Sequence, residues 1–198
     1  MSDAAVKRMT LEEFLLWDDG TDTRYELIAG FSVAMAPPSP AHGRLVARLG
    51  GRIDTVLQGR SPCAVQSEAG IVRPDRDDTC YVADLAVTCT EIQANERLIR
   101  DPILIVEVLS PSTSAFDRQS KVADYRQIAS VREILLIDLQ TMFTEILRRE
   151  GDRWITEIMQ GPTAILSLSS VPLAIRLSDL YEGIPLPERP RAASVTTR

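Results

Sequence analysis

The chain has 198 residues, 44% of them hydrophobic and 25% charged, the profile of one compact soluble domain that buries roughly 70% of its unfolded surface. Its 28 acids outnumber its 22 bases, for a net charge of −6, which argues against indiscriminate coating of nucleic acid or anionic membrane but leaves room for a local basic patch. No run approaches the ~20 apolar residues of a membrane helix, and the N-terminus has no signal-peptide pattern, so a cytoplasmic protein without membrane contact is expected.

Cys63, Cys80 and Cys89 are odd in number and show no CxxC spacing, so neither a disulfide framework nor a structural zinc site is expected. His42 is the only histidine. That removes HExxH zinc sites and histidine clusters. No organic cofactor is expected, and any chemistry must rest on carboxylates, lysine, arginine and hydroxyls.

The predicted elements run as one domain over residues 9–187, with residues 1–8 and 188–198 as flexible tails. Thr10 and Glu13 fit a capping box opening a short helix through Trp17. Residues 24–28 and 31–35 flank Ala29-Gly30 as a hairpin. Ser39 caps a longer helix on which Leu45, Val46, Leu49, Ile53, Val56 and Leu57 recur at helical spacing. Residues 63–72 read as a strand and 73–79 as a polar loop. The apolar runs 81–88 and 103–109 read as strands buried on both faces. A helix is expected over 114–129 and a further buried strand over 133–139, a right-handed parallel crossover. Residues 143–149 and 153–159 form a hairpin around Glu150-Gly151-Asp152. The sum is an α/β fold, a mixed central sheet flanked by helices.

Asp84 in YVADLAV and Glu107 in ILIVEVL do not suit buried strands. An ionised carboxylate there costs several kcal/mol unless it is paired. Two convergent acids repel, and a hard divalent cation such as Mg²⁺ resolves the conflict. The plainer reading places each acid at a strand end against an arginine or backbone N–H groups. Strand alternation puts Ile103, Ile105, Glu107 and Leu109 on one face, so no lysine stands beside Glu107 on its own strand, and Lys121 on the following helix is the next candidate. Twenty of the 22 bases are arginine, which makes Lys121 a compact ammonium suited to orienting water or neutralising a phosphoryl oxygen. Its plainer reading is an exposed i,i+4 pair with Asp117. Tyr125 lies one turn beyond on the same face.

The segments YELIAG (25–30), SPAH (39–42), ADLAV (83–87), VEVLSPST (106–113) and FDRQSKVADY (116–125) resemble the Uma-type endonuclease family of the PD-(D/E)XK restriction-endonuclease-like superfamily, over about residues 9–186. The resemblance implies a restriction-endonuclease-like core and a metal site at Asp84 and Glu107. It also implies that the third motif residue comes from the helix, at Lys121. Glu26 matches an N-terminal acid of the family and His42 a recurrent histidine. Ala83 replaces the usual proline before the aspartate, and Ile134-Leu135 replaces an aromatic pair; neither removes a proposed catalytic group.

Locally, Glu26 reads as a solvated edge acid, or as a further metal ligand if it reaches Asp84. His42, in the first turn of a capped helix, is expected to be neutral and to pack at the helix end. Arg44, Arg48 and Arg52 form a stripe at i, i+4 and i+8, either a solvated face or a phosphate track. Ser110 and the 112–114 hydroxyls read as turn and cap chemistry.

The expected function is metal-dependent hydrolysis of DNA phosphodiester bonds. Asp84, Glu107 and the Val108 carbonyl, with Glu26, would hold Mg²⁺ or Mn²⁺; Lys121 and Tyr125 complete the catalytic set, and Arg44, Arg48, Arg52, His42 and Ser110 line the DNA. The same fold also suits an inactive nucleic-acid-binding or protein-interaction module, or an enzyme for RNA or a small phosphodiester. A homodimer is expected by analogy.

Overall fold

The structure, a computed structural model, describes residues 8–110 and 116–187. Helix α1 (Leu11–Leu16) starts at the expected capping box, Thr10 and Glu13 bonding each other's backbone N–H groups. Strands β1 (Tyr25–Ile28) and β2 (Phe31–Ala34) pair antiparallel across Ala29-Gly30. That two-residue turn needs left-handed backbone at both positions. Gly30 adopts φ 85° freely, whereas Ala29 is held at φ 50°, a strain of about 1 kcal/mol or more. Arg8, expected in the tail, instead stacks over Phe31, 5.1 Å from its centroid.

Helix α2 (Pro40–Leu57) is capped by the Ser39 hydroxyl and buries Leu45, Leu49, Ile53 and Leu57. Its apolar stripe packs on one face of the sheet, against Leu85, Val87, Leu104, Val106 and Val108. Strands β3 (Ala64–Val72), β4 (Cys80–Thr88) and β5 (Pro102–Leu109) follow. A π-helical turn, Asp117–Lys121, then continues into α3 (Val122–Tyr125) and covers the opposite face, where Tyr125 packs with Ile105, Leu109 and Ile134. Strand β6 (Glu133–Asp138) lies parallel to β5, so the predicted crossover connection is present. Strands β7 (Phe143–Glu150) and β8 (Arg153–Gln160) form the predicted hairpin at the sheet's end. A small hairpin of β9 (Ile165–Ser167) and β10 (Ala174–Arg176), then α4 (Leu177–Leu180), complete the fold; these pieces are too short to carry a periodic signal.

The sheet divides at β4. Strand β3 pairs with β4 along its whole length, from Ala64↔Thr88 to Val72↔Cys80. On β4's other edge, β5 pairs only as far as Leu85↔Val106, and β1 meets β4 at Leu27↔Cys80. Two strands therefore share one edge and diverge between Ala83 and Leu85, which opens a fork at Asp84. Glu68, between the flanking pairs Ser67↔Leu85 and Ala69↔Ala83, takes φ 53°, so the ladder is distorted at this level on both sides.

Two expectations need correction. The helix expected over 114–129 ends at Tyr125 (residues 114 and 115 lie outside the described residues). Beyond it the chain turns through short-range bonds, and the Arg149 guanidinium takes up the carbonyls of Arg126, Ile128 and Val131 at 2.7–2.9 Å. Cys63 and Cys89 form a disulfide, leaving Cys80 as the buried free thiol. The antiparallel register explains the bridge: the pair Ala64↔Thr88 closes the β3–β4 ladder, so residues 63 and 89 face each other one step beyond it. A separation of 26 residues carries no such signal until the strands are paired. Among the described residues, no helix is long and apolar enough to cross a membrane.

Burial pushes the Cys80 thiol up to about 12, so it should resist alkylation in the folded protein. Denatured without reductant, the chain should show one titratable thiol, rising to three after reduction; three thiols before reduction would contradict the Cys63–Cys89 bridge.

Candidate active site

The fork gathers charge from five elements. Glu26 comes from β1, Asp84 from β4, Glu107 from β5, Asp117 and Lys121 from the π-helical turn, and His42 from the first turn of α2. Glu26, Glu107, Asp117 and Lys121 are all buried. Lys121 Nζ lies 2.8 Å from Glu26 Oε1 and 3.5 Å from both Glu107 Oε1 and Asp117 Oδ1. It also sits 5.8 Å from the centre of the Tyr81 ring. Burial alone would lower the lysine's pKa, but the charges of Glu107, Glu26 and Asp117 outweigh it and raise the value above normal. Lys121 therefore stays an ammonium.

Glu107 is placed differently. Its Oε1 accepts a 2.6 Å hydrogen bond from the Tyr125 hydroxyl. Burial pushes its pKa up to about 8 even though Lys121 pulls it down, and the neighbouring charges of Asp84 and Asp117 add to the rise. Strand β6 supplies a comparison. Glu133 is equally buried, yet it is held by Arg148, by the backbone N–H groups of Ser169 and Ser170 and by the Ser170 hydroxyl. The plainer reading of a strand acid, an arginine and backbone donors, describes Glu133. Glu107 shares one lysine with two other carboxylates.

The Asp84 side chain, 22% exposed, stands at the mouth of the fork. Its Oδ2 accepts the Val108 N–H at 2.6 Å, replacing the ladder bond lost where β4 and β5 part. His42 Nε2 lies 3.2 Å from both Asp84 oxygens. The hydrogen bond to Asp84 raises the histidine's pKa against the opposing effect of burial, and the ring is engaged by that carboxylate rather than only packed at the helix end. The carboxylate contact outweighs the helix N-terminus, which falls off within a turn.

Other expectations change too. The Asp117–Lys121 pair is buried rather than exposed, because the widened π-turn directs both side chains into the fork. Glu26 is a buried partner of Lys121 and of the Val82 N–H (2.8 Å), not a solvated edge acid. Arg48 is taken from the basic stripe: its guanidinium binds the carbonyls of Asp179, Leu180 and Glu182 at 2.6–3.1 Å, closing the end of α4. Arg44 and Arg52 stay exposed. Ser110 follows the end of β5 and is half-buried, and residues 112–114 lie outside the described residues. Sequence reasoning missed Tyr81. Its hydroxyl donates to Asp124 at 2.7 Å and its ring meets Tyr125 edge-on at 5.8 Å. Its position three residues before Asp84, on a strand, was the available signal.

Among the described residues, no three His, Cys, Asp or Glu side chains group closely enough to hold a metal by themselves. Glu26 is bonded instead to Lys121 and the Val82 N–H. An open site still fits: Mg²⁺ is commonly held by one or two carboxylates, with water and substrate oxygens completing the shell. The raised pKa of Glu107, beside an excess of carboxylate over ammonium, marks a place where added positive charge is favourable.

A mixed eight-stranded sheet with helices on both faces defines an α/β protein. A crystal structure of a "putative nuclease belonging to DUF820" from Anabaena variabilis has the same fold, with a TM-score of 0.72 over 87% of this chain and 97% of that one at 20% identity. Residues 11–178 match the Uma2 family, described as "Putative restriction endonuclease", and the chain belongs to that family. Two relatives from Synechocystis, the uncharacterized proteins slr1290 and sll1609, are similar over most of both chains. The first is 26% identical over 91% of this chain and 95% of its own length, the second 28% identical over 84% and 96%.

Because His42 is the only histidine, its ring protons titrate alone in a proton NMR spectrum. The midpoint should lie above the ordinary value and fall toward it in Asp84→Asn; an unchanged midpoint would break the pairing. A raised folded pKa adds stability below the unfolded value that is lost as pH climbs through the folded one. Glu107 acts in the same sense between about 4.5 and about 8. Glu107→Gln should therefore narrow the stability difference between pH 5 and pH 9 by about 1–3 kcal/mol in urea titrations.

Proposed function

We propose that this protein is a metal-dependent endonuclease that hydrolyses DNA phosphodiester bonds in the fork between β4 and β5. The observation that carries the reading is the crowding of Glu26, Glu107 and Asp117 on the single ammonium of Lys121, with Asp84 alongside at the solvent-facing mouth. Membership of a family described as restriction endonucleases supports the same direction.

Asp84 and Glu107, with the Val108 carbonyl, would hold Mg²⁺ or Mn²⁺, which supplies Lewis acidity toward a phosphoryl oxygen and favours ionisation of water. Tyr125 fixes the Glu107 carboxylate through its 2.6 Å bond. His42 fixes Asp84 from the other side, and the Val108 N–H holds Oδ2. Lys121 is the one buried cation of the fork among the described residues. Its ammonium donates to a non-bridging phosphate oxygen and orients the attacking water, while Glu26 and Asp117 keep it protonated. Exposed Arg44 and Arg52 on α2, the helix that carries His42, lie along a face that tracks the phosphate backbone.

Supercoiled plasmid and a structured RNA, each incubated with purified protein in Mg²⁺, Mn²⁺ or EDTA, test the reading. Nicking of the plasmid should require the ion and fall about 100-fold or more in Asp84→Asn and in Lys121→Met, with both variants folded by circular dichroism. Cleavage of the RNA alone would move the substrate to RNA. Equal nicking by wild type and both variants, or none by any of the three on either substrate, would overturn the assignment.

A further inference from the structure

Strand β8 ends the sheet, and among the described residues no strand pairs with its outer edge. Its eight residues, RWITEIMQ, pair with β7 in an unbroken register from Phe143↔Gln160 to Glu150↔Arg153. Soluble proteins usually blunt such an edge with lysine, proline, a bulge or shortness. β8 has no proline, bulge or shortening, and its two charges, Arg153 and Glu157, are of opposite sign, so they do not repel a second copy laid antiparallel. At the opposite end, β2 is only four residues long, and the outer edge of β3 is met at Gly70 by Leu98.

The direction of the free backbone groups follows from β7. The Arg149 N–H turns away from β8 to the Arg132 carbonyl, whereas the Gly161 N–H reaches back to Met142. Alternation then points the N–H and C=O groups of Arg153, Ile155, Glu157 and Met159 toward β7, and those of Trp154, Thr156, Ile158 and Gln160 outward. Along this open row stand two uncovered isoleucines, Ile155 at 41% and Ile158 at 61% exposure.

The side chains choose the occupant. Antiparallel pairing of β8 with itself about a two-fold axis at Ile155 sets Arg153 opposite Glu157, twice, with the two Ile155 side chains facing each other. Trp154 and Thr156 then form the hydrogen-bonded pairs, and Ile158 lies diagonal to Trp154. Glu157 is half-exposed while bonded to Arg148 at 2.9 Å, so it can take a second cation. Moving the axis to Glu157 would instead set the two Glu157 carboxylates against each other. We propose that β8 is a homodimerisation edge: a second copy of this chain adds its own β8 antiparallel about Ile155, joining two eight-stranded sheets into one, with Arg153 paired to the partner's Glu157. The contact does not involve the fork and stands whether or not the protein cleaves DNA.

An edge of this length lies near the low end of specific interfaces (~1,200 Å²), the range of weak, reversible associations. Sedimentation of the full chain should show a monomer–dimer equilibrium. Arg153→Glu places like charges across the axis, as does Glu157→Arg, and each should weaken dimerisation about tenfold or more. Mixed together, the two variants restore both opposite-charge pairs and should form a heterodimer with near wild-type affinity. If the Glu157→Arg chain fails to fold without its Arg148 contact, Ile155→Lys replaces it and should yield a monomer. A wild type that stays monomeric at ~200 µM, or charge variants that dimerise as well as wild type and gain nothing on mixing, would overturn the proposal.

Discussion

A single buried ammonium organises the centre of this protein. Lys121 neutralises part of the charge of Glu26, Glu107 and Asp117, groups that come from strands far apart in the chain and from the turn that carries the lysine. Without that cation, three carboxylates would have to be buried against one another, a cost of several kcal/mol each. With it, the fork still holds more negative than positive charge; burial above all, with the charges of Asp84 and Asp117 added, raises the pKa of Glu107. The same imbalance that makes the cluster expensive as architecture makes it receptive to added positive charge. Chemistry and stability thus draw on one electrostatic arrangement.

The fork exists because β1 and β5 compete for the same edge of β4. Regular pairing would consume every backbone group at this level and leave no cleft. Instead, Asp84 stands where the two strands part and uses its side chain to satisfy the Val108 N–H. The geometry of the site therefore replaces a missing ladder bond rather than being added to a complete sheet. The π-helical turn plays the matching role on the helix side. Its extra residue per turn brings Asp117 and Lys121 together inward, a use of π-bulges that recurs at functional sites. On the far face, packing of α2 against the sheet fixes His42 beside Asp84. Glu133 shows what a purely structural acid looks like in the same sheet, saturated by an arginine and backbone donors.

Much of this was legible in the residues. Capping at Thr10 and Ser39, helical spacing along α2, the apolar runs of β4, β5 and β6, and the Glu150-Gly151-Asp152 turn each follow from local stereochemistry. Asp84 and Glu107 stood out because ionised groups are costly within such runs, and Lys121 because arginine fills nearly every other basic position. Tyr81 was hidden, because an aromatic at a strand start has an ordinary fate; the Asp117–Lys121 pair was legible from its i,i+4 spacing, but its burial was not. The fate of Arg48 was hidden too, since nothing local shows that the last helix ends beneath α2.

What the amino-acid sequence determined by itself was the identity and type of the main elements, the two anomalous acids and the unusual lysine, because these depend on periodicity and on the cost of burying charge. Tertiary structure decided which charges meet. The pairing of Cys63 with Cys89, the contact of His42 with Asp84, the capture of Glu26 by Lys121 and the open edge at β8 are all consequences of strand order and register. Those long-range pairings place residues dozens of positions apart within hydrogen-bonding distance, and no local pattern encodes a contact whose partner lies on another strand.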